Sequence, residues 1–312
     1  GWVLRKRFFA CWNGLKSAMP SKSTPKRYPL ERSPLYRLRG KGKFEAVLDV
    51  QWEGMPKLLD AKHYRVWRND KGREIQAPQG GLAQVHKRIG VLLSRIKLPD
   101  YVYSQKGRSY ADNARAHRGD TPLIKTDISR FYPSVTRQAV FRMLLDDFEC
   151  SVDVAHRLAD ICCYKQLHLP TGSTLSGRVA FFAKRHMFNE IAEAAQNVGC
   201  KMTAYVDDIT ISGAAATKTL LGAIRQSIRR HGLRTQGRKS KTYSSGAAKT
   251  VTGAVVVRDE VRLPNSRHLN IHRARQALQT ANIAELPQAQ RILNGRLQES
   301  LQFLRPMTSA DK

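Results

Sequence analysis

The stretch 201-KMTAYVDDITIS-212 sets two adjacent carboxylates, Asp207 and Asp208, between two β-prone runs. The pattern predicts a hairpin with strands over 201–206 and 209–212 and the aspartates at its tip. Adjacent carboxylates repel each other, and a chain that needs only a turn forms it more readily with Asp-Gly or Asn-Gly. The charged tip therefore predicts a bound cation.

A third carboxylate, Asp127, lies near the end of 122-PLIKTDIS-129, which predicts a mostly buried strand. Carboxylates from neighbouring strands can converge on two Mg²⁺ ions about 3.5–4 Å apart, the arrangement that clamps an in-line phosphoryl displacement. A rival adjacent pair, Asp146 and Asp147, lies in an amphipathic helical segment, and we interpret it as a solvated helix face. The sequence thus predicts a two-magnesium site that combines Asp127 with the hairpin pair.

The rest of the chain alternates between strand and helix patterns. These patterns predict two β runs within 63–78, helices over 81–96, 137–148 and 154–164, one long helix after 177, a helix around 220–228, a β region over 241–263 and a helical tail from 264. The order predicts an α+β fold in which helices cover an antiparallel sheet.

The charge of the chain points to a polyanionic partner. The 312 residues include 54 Lys and Arg against 25 Asp and Glu, which gives a net charge of +29 and a pI near 10.4. Such an excess repels itself in a compact fold unless a polyanion neutralises it, and nucleic acid is the natural candidate. The charge separates neither DNA from RNA nor binding from catalysis.

Other bulk features indicate a cytoplasmic protein. No apolar run reaches the roughly 18 residues that a membrane span requires, and basic residues interrupt the apolar residues near the N-terminus, as a signal peptide would not allow. The five cysteines are odd in number and contain no C-x-x-C, so neither a disulfide framework nor a zinc site is expected. We therefore expect a reducing compartment and no membrane partner.

Five strings together resemble the reverse transcriptase family. TAYVDDITIS resembles its motif C, KTDISRFYPSV its motif A, LPTGSTLSG its motif B, GLRTQGRKSKT its motif D, and KGREIQAP the fingers segment before motif A. They occur in the order of the family between residues 63 and 253. Two positions depart from the pattern: Thr171 stands where Gln is common, and Gly177 where Pro is common.

Two short strings narrow the resemblance. The strings 113-NARAH-117 and 251-VTG-253 resemble those that precede motif A and follow motif D in retron-type reverse transcriptases. Their positions favour a retron-type enzyme over relatives from group II introns or diversity-generating elements.

The resemblance implies a right-hand polymerase with fingers, a palm and a small helical thumb. We expect a basic N-terminal arm over 1–45, fingers over 46–121, a palm over 122–260 with part of the fingers around 137–175, and an RNA-binding thumb over 261–312.

The resemblance also implies roles for site residues. Asp127, Asp207 and Asp208 would hold two Mg²⁺ ions with help from the Ile128 carbonyl, and Lys239 would protonate or neutralise the leaving pyrophosphate. The nucleotide site would comprise Arg73 with Lys71 or Arg65 on the triphosphate, Tyr132 under the sugar, and Thr171 and Gly172 in the pocket. Alternatives stay open: Lys71 as a turn charge, Tyr132 as a core aromatic, and Lys239 as a surface lysine.

Further residues would contact nucleic acid. We expect the segment of Asn113 and His117 to touch RNA or DNA near the priming site, although a lone histidine is more often structural. Tyr205 would abut the primer end. The expected thumb contacts to RNA are Arg267, Arg273 and Arg275, any of which could instead belong to a solvated helix face.

These features imply an RNA-directed DNA polymerase that uses dNTPs. A structured noncoding RNA would be both template and primer, with synthesis starting at a guanosine 2′-hydroxyl to give branched RNA–DNA, called msDNA. The resemblance further implies an anti-phage role with an effector protein supplied in trans. The alternatives are another prokaryotic defence reverse transcriptase, protein-primed or untemplated, and a catalytically silent RNA-binding scaffold.

Overall fold

The computed structural model describes residues 27–304. In that range the α-helices are α1 Lys41–Leu48, α2 Met55–Leu58, α3 Gly80–Ser94, α4 Tyr110–Arg115, α5 Phe131–Ser134, α6 Arg137–Arg142, α7 Val152–Cys162, α8 Ser176–Ala183, α9 Arg185–Asn197, α10 Lys218–Arg230, α11 Asn265–Thr280 and α12 Leu286–Leu304. The strands are β1 Tyr64–Arg68, β2 Glu74–Pro78, β3 Leu123–Asp127, β4 Lys201–Tyr205, β5 Asp208–Ser212, β6 Lys241–Tyr243, β7 Lys249–Val251, β8 Ala254–Val257 and β9 Glu260–Arg262.

The predicted α+β class is confirmed, with two differences among the helices. The long helix expected after 177 is two helices, α8 and α9, which meet at Lys184, where φ is −122° and helical geometry is lost. The helix expected over 137–148 leaves the α form after Arg142 and continues as a π-helical turn, Met143–Asp147. Hydrophobic periodicity predicts where a helix lies, but it does not predict a break in the helix or a π-helical turn within it.

The central sheet has the strand order β4-β5-β3-β6, and each pair in it is antiparallel. The hairpin predicted at the charged tip is confirmed as β4 and β5, joined by a two-residue turn. Strand β3 lies between β5 and β6 with Asp127 directly opposite Asp208. The order of the strands thus brings carboxylates far apart in sequence to one end of the sheet.

A second sheet, β7-β8-β9, packs beside the central sheet. A small apolar cluster joins the two, because Ala114 of α4 and Leu123 of β3 lie buried against Val251, Ala254 and Val256. The side chain of Thr252 extends this junction, since its hydroxyl donates to the Tyr110 carbonyl at 2.9 Å.

Of the basic N-terminal arm or helix expected over 1–45, residues 1–26 lie outside the described part of the chain, and α1 begins at Lys41. Leu35, Leu38 and Phe44 are buried in the main core. The backbone N–H of Arg37 donates to the Phe148 carbonyl at 2.8 Å, so this segment is tied to the turn that follows α6. The apolar residues between the abundant basic ones anchor this segment in the core.

Among residues 27–304, no helix is long and apolar enough to cross a membrane.

A buried histidine crosslinks the two strands of the charged hairpin. His117 lies with Nδ1 2.7 Å from the Ser212 hydroxyl and Nε2 2.7 Å from the Thr203 hydroxyl. Burial lowers its pKa to about 3, so the imidazole is neutral and can donate to one hydroxyl while accepting from the other. The ring therefore satisfies two buried hydroxyls beneath the hairpin.

We predict that His117→Ala lowers the free energy of unfolding by about 2–5 kcal/mol, because it opens a cavity and leaves two buried hydroxyls without partners. Urea unfolding at neutral pH measures the loss. The matched control is His268→Ala on an exposed face of α11, which should change stability by less than about 0.5 kcal/mol. Equal effects of the two substitutions would contradict the crosslink.

The same histidine makes stability depend on pH. The unfolded chain binds a proton near pH 6.5, whereas the folded chain resists it until about pH 3, so stability falls as pH decreases through that interval. We expect His117→Ala to lose more stability at pH 7 than at pH 4, because the wild type has already lost part of this contribution at the lower pH. Urea unfolding of both proteins at the two pH values tests this expectation.

Candidate active site

Three carboxylates lie at the same end of the central sheet, where β3 and β4 end and β5 begins. Asp127 and Asp208 are cross-strand partners, and Tyr205 lies opposite Asp208 on the other side of β5. The Ile128 N–H donates to the Asp207 carbonyl at 2.9 Å, which holds the turn against the end of β3. Val206 adopts a φ of 59°, a left-handed conformation that is rare for a β-branched residue and marks local strain.

The electrostatics of the turn confirm that the carboxylates interact. Burial raises the pKa of Asp207 to about 6, and the negative charges of Asp127 and Asp208 contribute to the rise. Burial likewise raises the pKa of Asp208, against the opposing effect of Lys125. Negative charge is therefore concentrated at this turn in the folded chain, and binding of a proton or a cation would neutralise it.

Two lysines compensate part of this charge. Lys239 Nζ lies 2.9 Å from Asp127 Oδ2, and Lys125 Nζ lies 3.8 Å from Asp208 Oδ2. The family motifs pointed to Lys239 but not to Lys125. The missed signal was the two-residue spacing in β3, which puts Lys125 and Asp127 on the same face of the strand.

These carboxylates fit a Mg²⁺ ion that is also bound by a substrate better than they fit a metal ion enclosed by protein ligands alone. Within residues 27–304, no three His, Cys, Asp or Glu side chains are grouped tightly enough to hold a metal ion. The lysines draw Asp127 and Asp208 into ion pairs instead. Mg²⁺ is usually bound by one or two carboxylates together with substrate phosphates. The oxygen donors present fit that mode of binding.

The loop before α8 is bonded to the β1–β2 hairpin. Thr171 N–H donates to Gln76 Oε1 at 3.0 Å, and its hydroxyl donates to the Glu74 carbonyl at 2.9 Å. Gly172 N–H donates to the Gln76 carbonyl at 3.0 Å. An ideal Cβ on Gly172 would lie 2.8 Å from that carbonyl oxygen and 2.9 Å from the Ile75 Cγ2, so only glycine allows the approach.

A second buried histidine fixes the same loop. His86 Nε2 lies 2.7 Å from the Ile161 carbonyl and must donate to it, so Nδ1 accepts from the Ser173 hydroxyl at 2.7 Å. Burial lowers the pKa of His86 to about 4, which keeps the ring neutral and this arrangement intact at neutral pH. Nothing in the sequence distinguished His86 beyond its place on the apolar face of α3.

Tyr132 lies between the carboxylates and α8. Burial raises its pKa, and the charge of Asp207 adds to the effect, which shows that the phenol is near that carboxylate. A Cβ on Gly177 would lie 3.5 Å from the Tyr132 hydroxyl. Phe131 beside it is buried in the core, and Tyr132 packs against the same core while staying partly exposed.

The side chains expected at a triphosphate extend from the β1–β2 hairpin. Its turn is organised by Asn69, whose side-chain oxygen accepts from the Lys71 and Arg73 N–H groups at 3.1 and 3.0 Å. Arg65 stacks over Trp67, with its guanidinium carbon 5.3 Å from the ring centroid. In the described part of the chain, Arg65, Lys71 and Arg73 are exposed and form no ion pair. They remain proposals for phosphate binding.

Two predicted contacts to nucleic acid are wrong for the side chains concerned. Asn113 and His117 are both 0% exposed, so neither can touch RNA or DNA directly. The Asn113 amide lies 3.4 Å from the Thr252 hydroxyl, so the strings 113-NARAH-117 and 251-VTG-253 meet in space. In this chain the two strings thus form the junction between α4 and the second sheet.

The arginines of the C-terminal helices have different environments. Arg273 and Arg275 are exposed on α11, as an RNA contact requires. Arg267 instead forms an ion pair with Glu299 of α12, and Arg296 donates to the Asn270 carbonyl. The latter two side chains hold the helices together, which the sequence did not indicate.

The rival acidic pair is not a uniformly solvated face. Asp146 is exposed and lies 3.8 Å from Arg142, as expected. Asp147 is largely buried and bonds Arg185 at 2.9 Å and His186 at 3.0 Å, so it ties the π-helical turn to α9. Our interpretation of Asp147 as solvated is therefore wrong, because the π-helical turn rotates it inward.

The chain matches the sequence profile of one known family, described as reverse transcriptase (RNA-dependent DNA polymerase), over residues 69–281. It is 28% identical over 171 residues to the Retron Se72 reverse transcriptase of Salmonella heidelberg, which covers 52% of this chain and 44% of that protein. It is 26% identical over 201 residues to the Retron Ec86 reverse transcriptase of Escherichia coli, covering 64% of this chain and 61% of that protein.

A third relative is the Retron Ec48 reverse transcriptase of Escherichia coli, 28% identical over 170 residues, with 53% of this chain and 41% of that protein covered. The matched part thus spans about half the length of these relatives. Among solved structures, truncated apo telomerase from Candida Tropicalis aligns with a TM-score of 0.46 and 11% identity, over 64% of this chain and 54% of that chain.

We predict that Asp207→Asn stabilises the metal-free protein at pH 7 by about 1–3 kcal/mol, because it removes one of three repelling carboxylates. A carboxyl whose pKa rises to about 6 on folding binds its proton more tightly in the folded state, so stability falls as pH increases from about 4 through 6. Urea unfolding in a chelator across this range measures both effects. A destabilised variant, or one with the wild-type pH profile, would contradict the repulsion.

We predict that Gly172→Ala lowers the free energy of unfolding by about 1–3 kcal/mol, since the new Cβ collides with the backbone of β2. The matched control is Gly222→Ala in α10, where a Cβ meets nothing within 4 Å. That control should gain about 0.5–1 kcal/mol from helix propensity. The two variants are compared by thermal unfolding, and similar midpoints would refute the close contact.

Proposed function

The chain belongs to the reverse transcriptase family, and from that premise we propose that it is the polymerase of a retron. In this proposal it copies a structured noncoding RNA into DNA, using dNTPs and two Mg²⁺ ions. The observation that carries the catalytic part is the meeting of Asp127, Asp207 and Asp208 at one end of the central sheet. A scaffold without chemistry would gain nothing from burying these repelling charges.

The arrangement of the chain supports a right-hand polymerase. The central sheet would be the palm, the segment 46–121 with its β1–β2 hairpin would belong to the fingers, and α11 and α12 would form the thumb. The bonds from Thr171 and Gly172 to β2 would join the loop before α8 to the β1–β2 hairpin of the fingers, beside the nucleotide pocket. Tyr132, half-buried near Asp207, would lie under the sugar of the incoming nucleotide.

The residues of the site suit nucleotidyl transfer. The bound Mg²⁺ ions would supply charge stabilisation for the attacking and leaving oxygens. Asp127, Asp207 and Asp208 would hold them, with the Ile128 carbonyl as a further oxygen donor. Lys239 would leave Asp127 for the departing pyrophosphate, and Arg73 with Lys71 or Arg65 would grip the triphosphate, where a guanidinium can bind phosphate bidentately. Tyr205 would abut the primer end.

The retron part of the proposal is supported by the relatives and by the resemblance of the strings 113-NARAH-117 and 251-VTG-253 to retron sequences. The enzyme would start from a 2′-hydroxyl of a guanosine in its RNA and produce branched msDNA. Arg273 and Arg275 on the exposed face of α11 would contact that RNA, largely through phosphates and shape. It would act in the bacterial cytoplasm in anti-phage defence, together with an effector protein encoded nearby.

We predict that Asp207→Asn and Asp208→Asn each reduce dNTP incorporation on an RNA template by at least about 10³-fold, because each removes a ligand of the metal site. The matched control is Asp146→Asn. Asp146 also belongs to an adjacent pair of aspartates, but it is exposed and pairs with Arg142 instead of a residue of the site, so this variant should retain wild-type activity. RNA affinity should be unchanged in all three variants. Full synthesis by the Asp207 variant would refute the metal assignment.

The product distinguishes the retron from its rivals. The protein is expressed with its flanking locus, and bound nucleic acid is extracted, treated with ribonuclease or a debranching enzyme, and sequenced. A defined cDNA joined to one RNA through a 2′–5′ branch supports the retron proposal. Unbranched or random DNA would move the enzyme to a protein-primed or untemplated lineage, and RNA without DNA would favour the silent scaffold.

A further inference from the structure

A cationic cleft lies outside the reverse transcriptase motifs and has no role in the proposed nucleotidyl transfer. It has a volume of about 320 Å³ and lies between the N-terminal segment and the loop that follows α3. Four basic residues line it, with one carboxylate among its other lining residues. The basic residues are Arg27, Lys97, Lys106 and Arg108.

The cations of this cleft are held in place without losing their charge. Arg27 donates to the Gln105 side chain and to the Lys106 carbonyl at 2.7 Å. Arg108 stacks over Tyr103, 4.6 Å from the ring centroid, and donates to the Asp100 carbonyl at 2.5 Å. Neutral carbonyls and rings orient both guanidinium groups but do not cancel their charge.

The one carboxylate of the cleft neutralises little. Asp100 Oδ1 lies 3.9 Å from Arg108, and the Asp100 side chain is 99% exposed. An ion pair at this distance in water contributes little energy and is screened by salt. The cleft therefore keeps a net positive charge.

Arg178 adds a further cation close to Arg27. It lies in the first turn of α8, and burial lowers its pKa, as does the charge of Arg27. In residues 27–304, no carboxylate forms an ion pair with Arg178. Two neighbouring guanidinium groups, one of them partly desolvated, repel each other until an anion lies between them.

The position of these residues connects the cleft to the candidate active site. Val102 forms a bridge with Ala204 of β4, and the Tyr103 N–H donates to the Ala204 carbonyl at 2.9 Å. One wall of the cleft therefore borders the strand that leads to the Tyr205 and Asp207 turn. Arg178 lies on α8 next to Gly177, where an added Cβ would lie 3.5 Å from the Tyr132 hydroxyl.

We propose that this cleft binds the phosphate backbone of the nucleic-acid strand held at the polymerase site. The proposal rests on the proposed function, because the strand must reach the carboxylates. A polynucleotide fits better than free phosphate, since the four cations that line a cleft of about 320 Å³ can meet several phosphates in succession. These contacts would position the strand and would not depend on its base sequence.

The test is the salt dependence of RNA binding. Arg178→Gln and Arg27→Gln are compared with the wild type by fluorescence anisotropy of a labelled RNA annealed to a DNA primer, without dNTPs. Removing one cation from the phosphate backbone should reduce the slope of log Kd against log salt by about 0.7–0.9, and the double variant should reduce it by about twice that. Arg178→Lys keeps the charge and should keep most of the slope.

The matched control is Lys218→Gln at the start of α10, an exposed cation outside the cleft, which should keep the wild-type slope. If Arg178→Gln lowers the midpoint of thermal unfolding, its salt slope also reflects a change in the fold. The salt slope of Arg27→Gln then tests the proposal, because Arg27 lines the cleft. Cleft variants with the same slope as Lys218→Gln would overturn the proposal. Displacement of RNA by micromolar pyrophosphate in the wild type, but not in Arg178→Gln, would assign the cleft to free phosphate instead.

Failure of this proposal can be told apart from failure of the proposed function. Asp207→Asn should bind the labelled duplex with the wild-type salt slope, since it leaves the cleft intact. An unchanged slope in the cleft variants, together with inactive Asp207→Asn, would reject the cleft and keep the polymerase. A reduced slope in the cleft variants, with Asp207→Asn still active, would keep the cleft and reject the metal assignment.

Discussion

The pairing of β3 with β5 is the constraint on which the rest of the structure depends. It sets Asp127 opposite Asp208 and brings Asp207 into the same charged end of the sheet. The arrangement opposes folding, because burial and mutual repulsion raise the pKa of Asp207 to about 6. Lys125 and Lys239 offset part of that cost, and His117 stabilises the hairpin from below through two hydroxyls.

A second set of bonds fixes the surroundings of the carboxylates. Gln76 and Gly172 lock the loop before α8 to β2, and His86 holds the same loop from the opposite side through Ser173. Both histidines act as neutral groups, so their contribution persists at neutral pH and is lost in acid. The neutral polar groups of this region thus hold the loop and the hairpin in place, and the charged groups are left to bind ligands.

The sequence was sufficient for the parts that depend on periodicity and on motif order. It predicted the hairpin, the three carboxylates and the α+β class, and the family profile confirms the assignment to reverse transcriptases. It was insufficient where tertiary contacts decide the direction of a side chain. Lys125 was missed and Asp147 misjudged because strand pairing and a π-helical turn determine where they point. Asn113 and His117 face inward for the same reason, since α4 packs on the second sheet.

The lysines of the site also explain how it can be stable before substrate arrives. Without ligands, Lys239 bonds Asp127 directly, and a cation on that carboxylate would compete with it. An incoming triphosphate brings negative charge that can take up a displaced lysine, so metal and nucleotide would bind more favourably together than either alone. Lys125 is more deeply enclosed, with 14% of its side chain exposed against 48% for Lys239, and it is therefore the fixed partner of the two. The difference in exposure fits the proposed release of Lys239 to pyrophosphate, with Lys125 remaining beside Asp208.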